Sequence, residues 1–75
     1  MNLDELRNEI DKIDGALVDL LEKRMDVSRK IGEIKKSKDI PVKDEEREKE
    51  IINRVPERLK GIFQEIINKS KEEQL

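Results

Sequence analysis

Leu3, Leu6, Ile10, Ile13, Leu17, Leu20, Val27, Ile31 and Ile34 recur at alternating steps of three and four residues, with one interruption. A stripe with this heptad spacing predicts a long α-helix that packs against other helices. Asn2 is a candidate N-cap, and Glu5 three residues on gives a cap-like start. The pattern runs to about residue 37, where the segment SKDIP breaks it, because the residue before Pro41 disfavours helix. Gly15 and Gly32 each cost up to ~1 kcal/mol of helix propensity against alanine, and would allow close approach of another helix.

Beyond the break, Asp44 is a candidate N-cap for a second, short helix. Glu45 and Glu46 lie in its first turn, where negative charge suits the helix dipole, and Ile51, Ile52 and Val55 form its apolar side. Pro56 ends that helix or opens the next at its first position, where proline is tolerated. Leu59, Ile62, Phe63, Ile66 and Ile67 then form a one-sided stripe on a third helix. No strand pattern and no internal repeat appears. The expected fold is all-α in a single domain over residues 1–75: a long helix over about 3–37, a loop at 38–43, a short helix over about 45–55, and a medium helix over about 57–74.

Composition limits how such a chain can be stable. Its 75 residues are 33% hydrophobic, with one Phe and neither Trp nor Tyr, so one copy buries only a thin core. Chains this small usually need disulfides, a metal or a partner subunit. The absence of Cys removes disulfides and thiolate ligands, and the absence of His removes the commonest metal ligand. Self-association is the remaining route, so an oligomer without metal is expected. A net charge of −2 argues against a nucleic-acid partner. No apolar run approaches the ~20 residues needed to cross a bilayer, and the N-terminus lacks a signal peptide's apolar core. The expectation is a soluble, cytoplasmic protein without membrane contact.

Three departures from the apolar pattern point to chemistry. The gap in the first stripe is filled by Arg24, flanked on the same face by Leu17, Leu20, Val27 and Ile31. It either snorkels out of the seam or pairs with an acidic residue as a register device. Lys35 lies eleven residues on, which is ~20° round the helix and ~16 Å along it. Two such cations can lean together and clasp an anion bearing two carboxylates. Lys35 also belongs to the run KKSK, and such runs are usually solvated. On the third helix, seven residues beyond Phe63 and Ile67 stand Ser70 and Gln74, so an apolar face becomes a neutral hydrogen-bonding one. That is either a frayed polar terminus or one wall of a polar pocket. The block PVKDEEREKEII at 41–52 poses the same choice between solvated surface and a face where Asp44, Arg47 and Glu48 meet a ligand.

The segments LDELRNEIDKIDGALVDLLEKR, IGEIKKSKDIPVKDEEREKEII and IFQEIINKSKEEQ together resemble the all-helical chorismate mutases of the shikimate pathway, over nearly the whole chain. The resemblance implies an isomerase converting chorismate to prephenate, in phenylalanine and tyrosine biosynthesis, on an intertwined antiparallel homodimer with two shared sites. It further implies that Arg7, Arg24 and Lys35 bind the two carboxylates, with Lys35 also reaching the ether oxygen. Glu48, with backbone near Asp44, would hold the ring hydroxyl, and Arg47 would lend electrostatic support. Ser70 would assist a carboxylate, and Gln74 would donate to the ether oxygen. Lys35, Gln74 and Arg24 are the expected catalytic residues; Arg7, Asp44, Arg47, Glu48 and Ser70 are the expected substrate-binding ones. Glu45, Glu46, Lys49 and Glu50 then read as ordinary solvated charges.

Helix geometry adds a constraint on that assignment. Arg7 and Lys35 on one helix are ~42 Å apart, too far for one small ligand to touch both. If Arg7 contributes, it comes from a second subunit. An antiparallel pairing with its twofold near residue 18 sets Arg7 opposite roughly residue 30 of the partner, between Arg24 and Lys35. A one-substrate pericyclic rearrangement needs no nucleophile, metal or cofactor, so a chain without Cys or His can perform it. One departure from the family stands out: between Ile52 and Phe63 the chain is several residues shorter than many relatives. The competing readings are an isochorismate-pyruvate lyase on the same scaffold, a non-catalytic metabolite-binding dimerisation module, and a plain antiparallel coiled coil.

Overall fold

The computed structural model describes all 75 residues and contains helices and turns only. Helix α1 spans Leu3–Ser37, α2 spans Glu45–Asn53, a 3₁₀ turn covers Glu57–Leu59, and α3 spans Lys60–Gln74. Each boundary has a local cause. Asn2 caps α1 by accepting on Oδ1 from the Glu5 backbone amide at 2.8 Å, while its side-chain Nδ2 donates to the Glu5 carboxylate at 3.4 Å. At the far end Asp39 adopts a left-handed conformation (φ 57°), which aspartate tolerates better than most residues. The Ile40 amide then bonds the Lys35 carbonyl at 2.8 Å and the Asp39 amide bonds the Lys36 carbonyl at 3.3 Å. This pair of bonds is a Schellman closure, and it turns the chain back along α1.

Asp44 caps α2, accepting from the Arg47 amide at 3.1 Å. The chain leaves α2 at Asn53 and re-enters helix through the 3₁₀ turn, closed by the Leu59 amide on the Pro56 carbonyl at 2.9 Å. Proline at ψ 143° cannot continue a helix, so the α-helix proper starts at Lys60. No helix is long and apolar enough to cross a membrane.

The chain folds as a rod with a short return. Its principal extents are 54 × 24 × 14 Å, and α1 accounts for the long axis at ~1.5 Å per residue. α3 packs back on the C-terminal half of α1, and α2 packs on α3. The face of α1 that α3 covers is not the heptad stripe. Ser28 and Gly32 are buried there, while Val27 and Ile34 of the stripe stay 52% and 55% exposed. Gly32 permits this contact: a Cβ at that position would lie 2.6 Å from the Gln74 Cα, an impossible approach. Against Gly15 nothing comes within 4 Å. Ile67 on α3 is the one buried large apolar residue, and every residue from 1 to 20 is exposed.

Candidate active site

The packing of α3 on α1, with α2 across the end, encloses a cavity of about 410 Å³. Of the eight residues singled out in the sequence, seven line it. Arg24 and Lys35 come from α1, Asp44 and its helix supply Arg47 and Glu48, and α3 supplies Ser70 and Gln74. The short connection between α2 and α3 delivers the last two to this wall. Arg7 is absent from this wall, lying ~42 Å from Lys35 on the same unbroken helix.

On α1 the site follows a ladder of three- and four-residue steps: Arg24, Ser28, Ile31 and Lys35. Arg24 donates to the Ser70 hydroxyl, and Ser70 in turn donates to the Ile66 carbonyl at 2.8 Å. Arg24 is thus held by a neutral hydroxyl rather than by a carboxylate, which leaves its charge uncompensated. Burial disfavours its charged form, and the positive charge of Arg47 disfavours it further, so its pKa lies below the ordinary value. Arginine nonetheless remains protonated at any physiological pH. A bound anion would relieve both effects.

Lys35 donates to the Val42 carbonyl at 2.9 Å and to Gln74 Oε1 at 3.0 Å. The first of these contacts depends on the turn at Asp39, which brings Val42 back over the helix end. An ammonium has three hydrogens and no lone pair, so Gln74 must present its oxygen to Lys35. One Lys35 hydrogen and the Gln74 Nε2 group remain without protein partners. Two adjacent donors are therefore unspent at one end of the cavity.

Asp44 uses one carboxylate oxygen, Oδ1, for the α2 cap, and Arg47 pairs with Glu50 at 3.0 Å. Glu48 receives the Lys71 ammonium on Oε1 at 3.3 Å, while its Oε2 is buried without any partner. Lys71 is a cavity residue that the sequence reading passed over, as are the apolar walls Val42, Ile51 and Ile67. Lining cations Arg24, Lys35, Arg47 and Lys71 outnumber the anions Asp44 and Glu48 by four to two. No group of His, Cys, Asp or Glu side chains is arranged to hold a metal ion.

A small cavity in which cations outnumber anions has the charge and size to suit a compact organic anion. Residues 6–75 match the family described as chorismate mutase type II, and the chain belongs to that family. It is 37% identical over 73 residues to a 3-dehydroquinate dehydratase of Pyrobaculum aerophilum, covering 97% of this chain and 24% of that protein. It is 40% identical over 53 residues to a chorismate mutase of Methanocaldococcus jannaschii, covering 71% of this chain and 54% of that one. A bifunctional chorismate mutase/prephenate dehydratase of Aquifex aeolicus is 43% identical over 53 residues, covering 71% of this chain and 15% of its own length. The chain thus spans less than two thirds of each of these relatives. Among solved structures, a conserved hypothetical protein from Pyrococcus furiosus superposes with a TM-score of 0.93 at 41% identity, over 97% of this chain and 95% of that one.

Proposed function

We propose that this chain catalyses the rearrangement of chorismate to prephenate, in a pair of copies that share two sites. The observation that carries the reading is the pair of unspent donors on Lys35 and Gln74, beside the uncompensated charge of Arg24. In the rearrangement the ether C–O bond breaks as a new C–C bond forms, and no atom is gained or lost. Negative charge grows on the ether oxygen as its bond to the ring lengthens. Two preorganised donors in a partly dry cavity are suited to that charge, and removing such a donor typically costs about 10²–10³ in rate. Arg24 would hold one carboxylate, with Ser70 fixing its guanidinium. Glu48 would take the ring hydroxyl on its orphaned oxygen, near the backbone of Asp44, and Arg47 would add positive potential. The apolar walls would keep the enolpyruvyl arm folded over the ring, which is the positional part of catalysis.

The pairing of two copies rests on two features. The stripe from Leu3 to Leu20 is exposed on every residue, and covering one such side chain is worth roughly 1.5–3 kcal/mol. Arg7, remote from the cavity of its own chain, would reach that of the partner in an antiparallel pairing. A complementation experiment tests pairing and chemistry together. Arg7→Ala and Lys35→Ala should each abolish prephenate formation, measured by loss of chorismate ultraviolet absorbance with products identified. Mixed and re-equilibrated, they should recover about a quarter of wild-type activity, because half the pairs are mixed and each mixed pair has one intact site. No recovery would sink the shared site; no wild-type turnover would sink the mutase reading. In the latter case the partial matches to longer enzymes favour a metabolite-binding module, which binds chorismate without converting it.

A further inference from the structure

α3 presents Ser70, Lys71 and Gln74 to the cavity, and each holds one functional group from another helix. Ser70 holds Arg24 and Gln74 holds Lys35, both from α1. Lys71 holds Glu48, from α2, through the single ion pair that ties α2 to α3. Both partners of that pair are largely buried, with 30% and 20% of their side chains exposed. A half-dry pair of this kind is less screened than a surface one.

We infer that Lys71 is a positioning residue for Glu48. It occupies Oε1, so Oε2 is the oxygen left for a ligand hydroxyl, and it offsets the carboxylate's charge against an anionic ligand. The second role is forced by the composition of the wall. A site that selects a dianion gains from Arg24 and Lys35 but is penalised by every uncompensated carboxylate. Glu48 is the wall's carboxylate with an orphaned oxygen, and its nearest countercharge is Lys71 at 3.3 Å. Leaving Oε2 without a donor has its own cost, of a kind that an arriving hydroxyl removes. A hydroxyl on the side of an anionic ligand that faces α2 would then meet Oε2 without an uncompensated carboxylate beside it. This inference rests on the mutase reading for the identity of that ligand, but not for the Lys71–Glu48 geometry.

The alternative is that Lys71 only stitches α2 to α3, and kinetics separates the two. Lys71→Met keeps an unbranched apolar stem and removes the charge. The expected result is a KM for chorismate raised about tenfold, the loss expected for a charge-assisted contact, with kcat changed little. Lys71→Arg should restore most of it. Adding Glu48→Gln to Lys71→Met should cost less than it does in the wild type, because the carboxylate that Lys71 compensated is gone. Unchanged KM in Lys71→Met, or strictly additive costs in the double variant, overturns the inference. A purely structural role would instead move the melting temperature and both kinetic constants together, without rescue by arginine. If the wild type shows no turnover, the readout becomes the chorismate-induced rise in melting temperature. Lys71→Met should then diminish that rise and Lys71→Arg restore it; equal rises in wild type and Lys71→Met, or no rise in either, overturn the inference.

Discussion

The two halves of α1 carry the same heptad stripe and meet different fates. In the C-terminal half, Arg24, Ser28 and Lys35 line the cavity beside α3, and Gly32 lies against the Gln74 backbone. In the N-terminal half every side chain from Leu3 to Leu20 is exposed. The difference is not in apolar content, which is higher in the exposed half. It lies in the small and polar residues that flank the stripe after residue 23, which let α3 dock beside it. The stripe itself remains open along its whole length, since Ile31 and Ile34 are exposed too. The lesson is that apolar periodicity marks a surface needing cover, while the chain's own return helix can settle on a neighbouring face.

Breaking the exposed half should have the largest effect. Ile13→Glu puts a charge in the centre of the open stripe, about 33 Å from Lys35 at ~1.5 Å per residue. On the paired reading, sedimentation should give single chains, and activity should fall on the order of 10³-fold with the loss of a site arginine. Retained activity in a single chain would break the comparison, because the exposed half would then have no part in the site.

The next effect lies in the docked half. Gln74→Glu should be active at acidic pH and lose about 10²-fold by pH 8, because the introduced carboxyl donates only while protonated. The sign follows from the donor requirement: protonation restores activity and ionisation removes it. A flat pH–rate profile would remove Gln74 from the charge-stabilising role.

The two glycines of α1 sharpen the comparison with smaller effects. Gly32→Ala gains helix propensity, yet its Cβ would meet the Gln74 backbone. Ser70 and Gln74 should shift, and kcat should drop about tenfold with a lower melting temperature. Gly15→Ala meets nothing, so the same substitution there should stabilise by up to ~1 kcal/mol in thermal unfolding, with activity unchanged. Equal responses at both positions would mean that α3 does not close on Gly32.

Much of this arrangement was legible in the sequence. The caps at Asn2 and Asp44 are side chains of the right type at the right offsets, and such local rules carry over directly. Arg24 and Lys35 could be linked because helix geometry is fixed and both interrupt or adjoin an apolar face. The face taken by α3 was not legible. It depends on Ser28 and Gly32 being small, and smallness leaves no mark in a hydrophobic pattern. Lys71 was hidden for another reason. It sits in KSKEE, where a lysine reads as solvated, and following α3 in steps of seven from Phe63 skips it. The signal that could have found it is electrostatic: Glu48, if it faced an anion, required a countercharge from a neighbouring helix.

α1 is an unbroken rod of 35 residues from Leu3 to Ser37, and on the paired reading its two ends serve different sites. It therefore acts as a gauge. Inserting one residue between Arg7 and Arg24 would swing Arg7 by ~100° and advance it by ~1.5 Å, taking it off its target. A seven-residue insertion would restore the facing but overshoot by ~10 Å. Neither change has a local remedy, because a helix has no slack to absorb it. The connection from Arg54 to Leu59, a turn followed by a 3₁₀ segment, is not bound to one continuous helical register and does have slack. Length should therefore vary among such chains between the second and third helices and hold constant within the first.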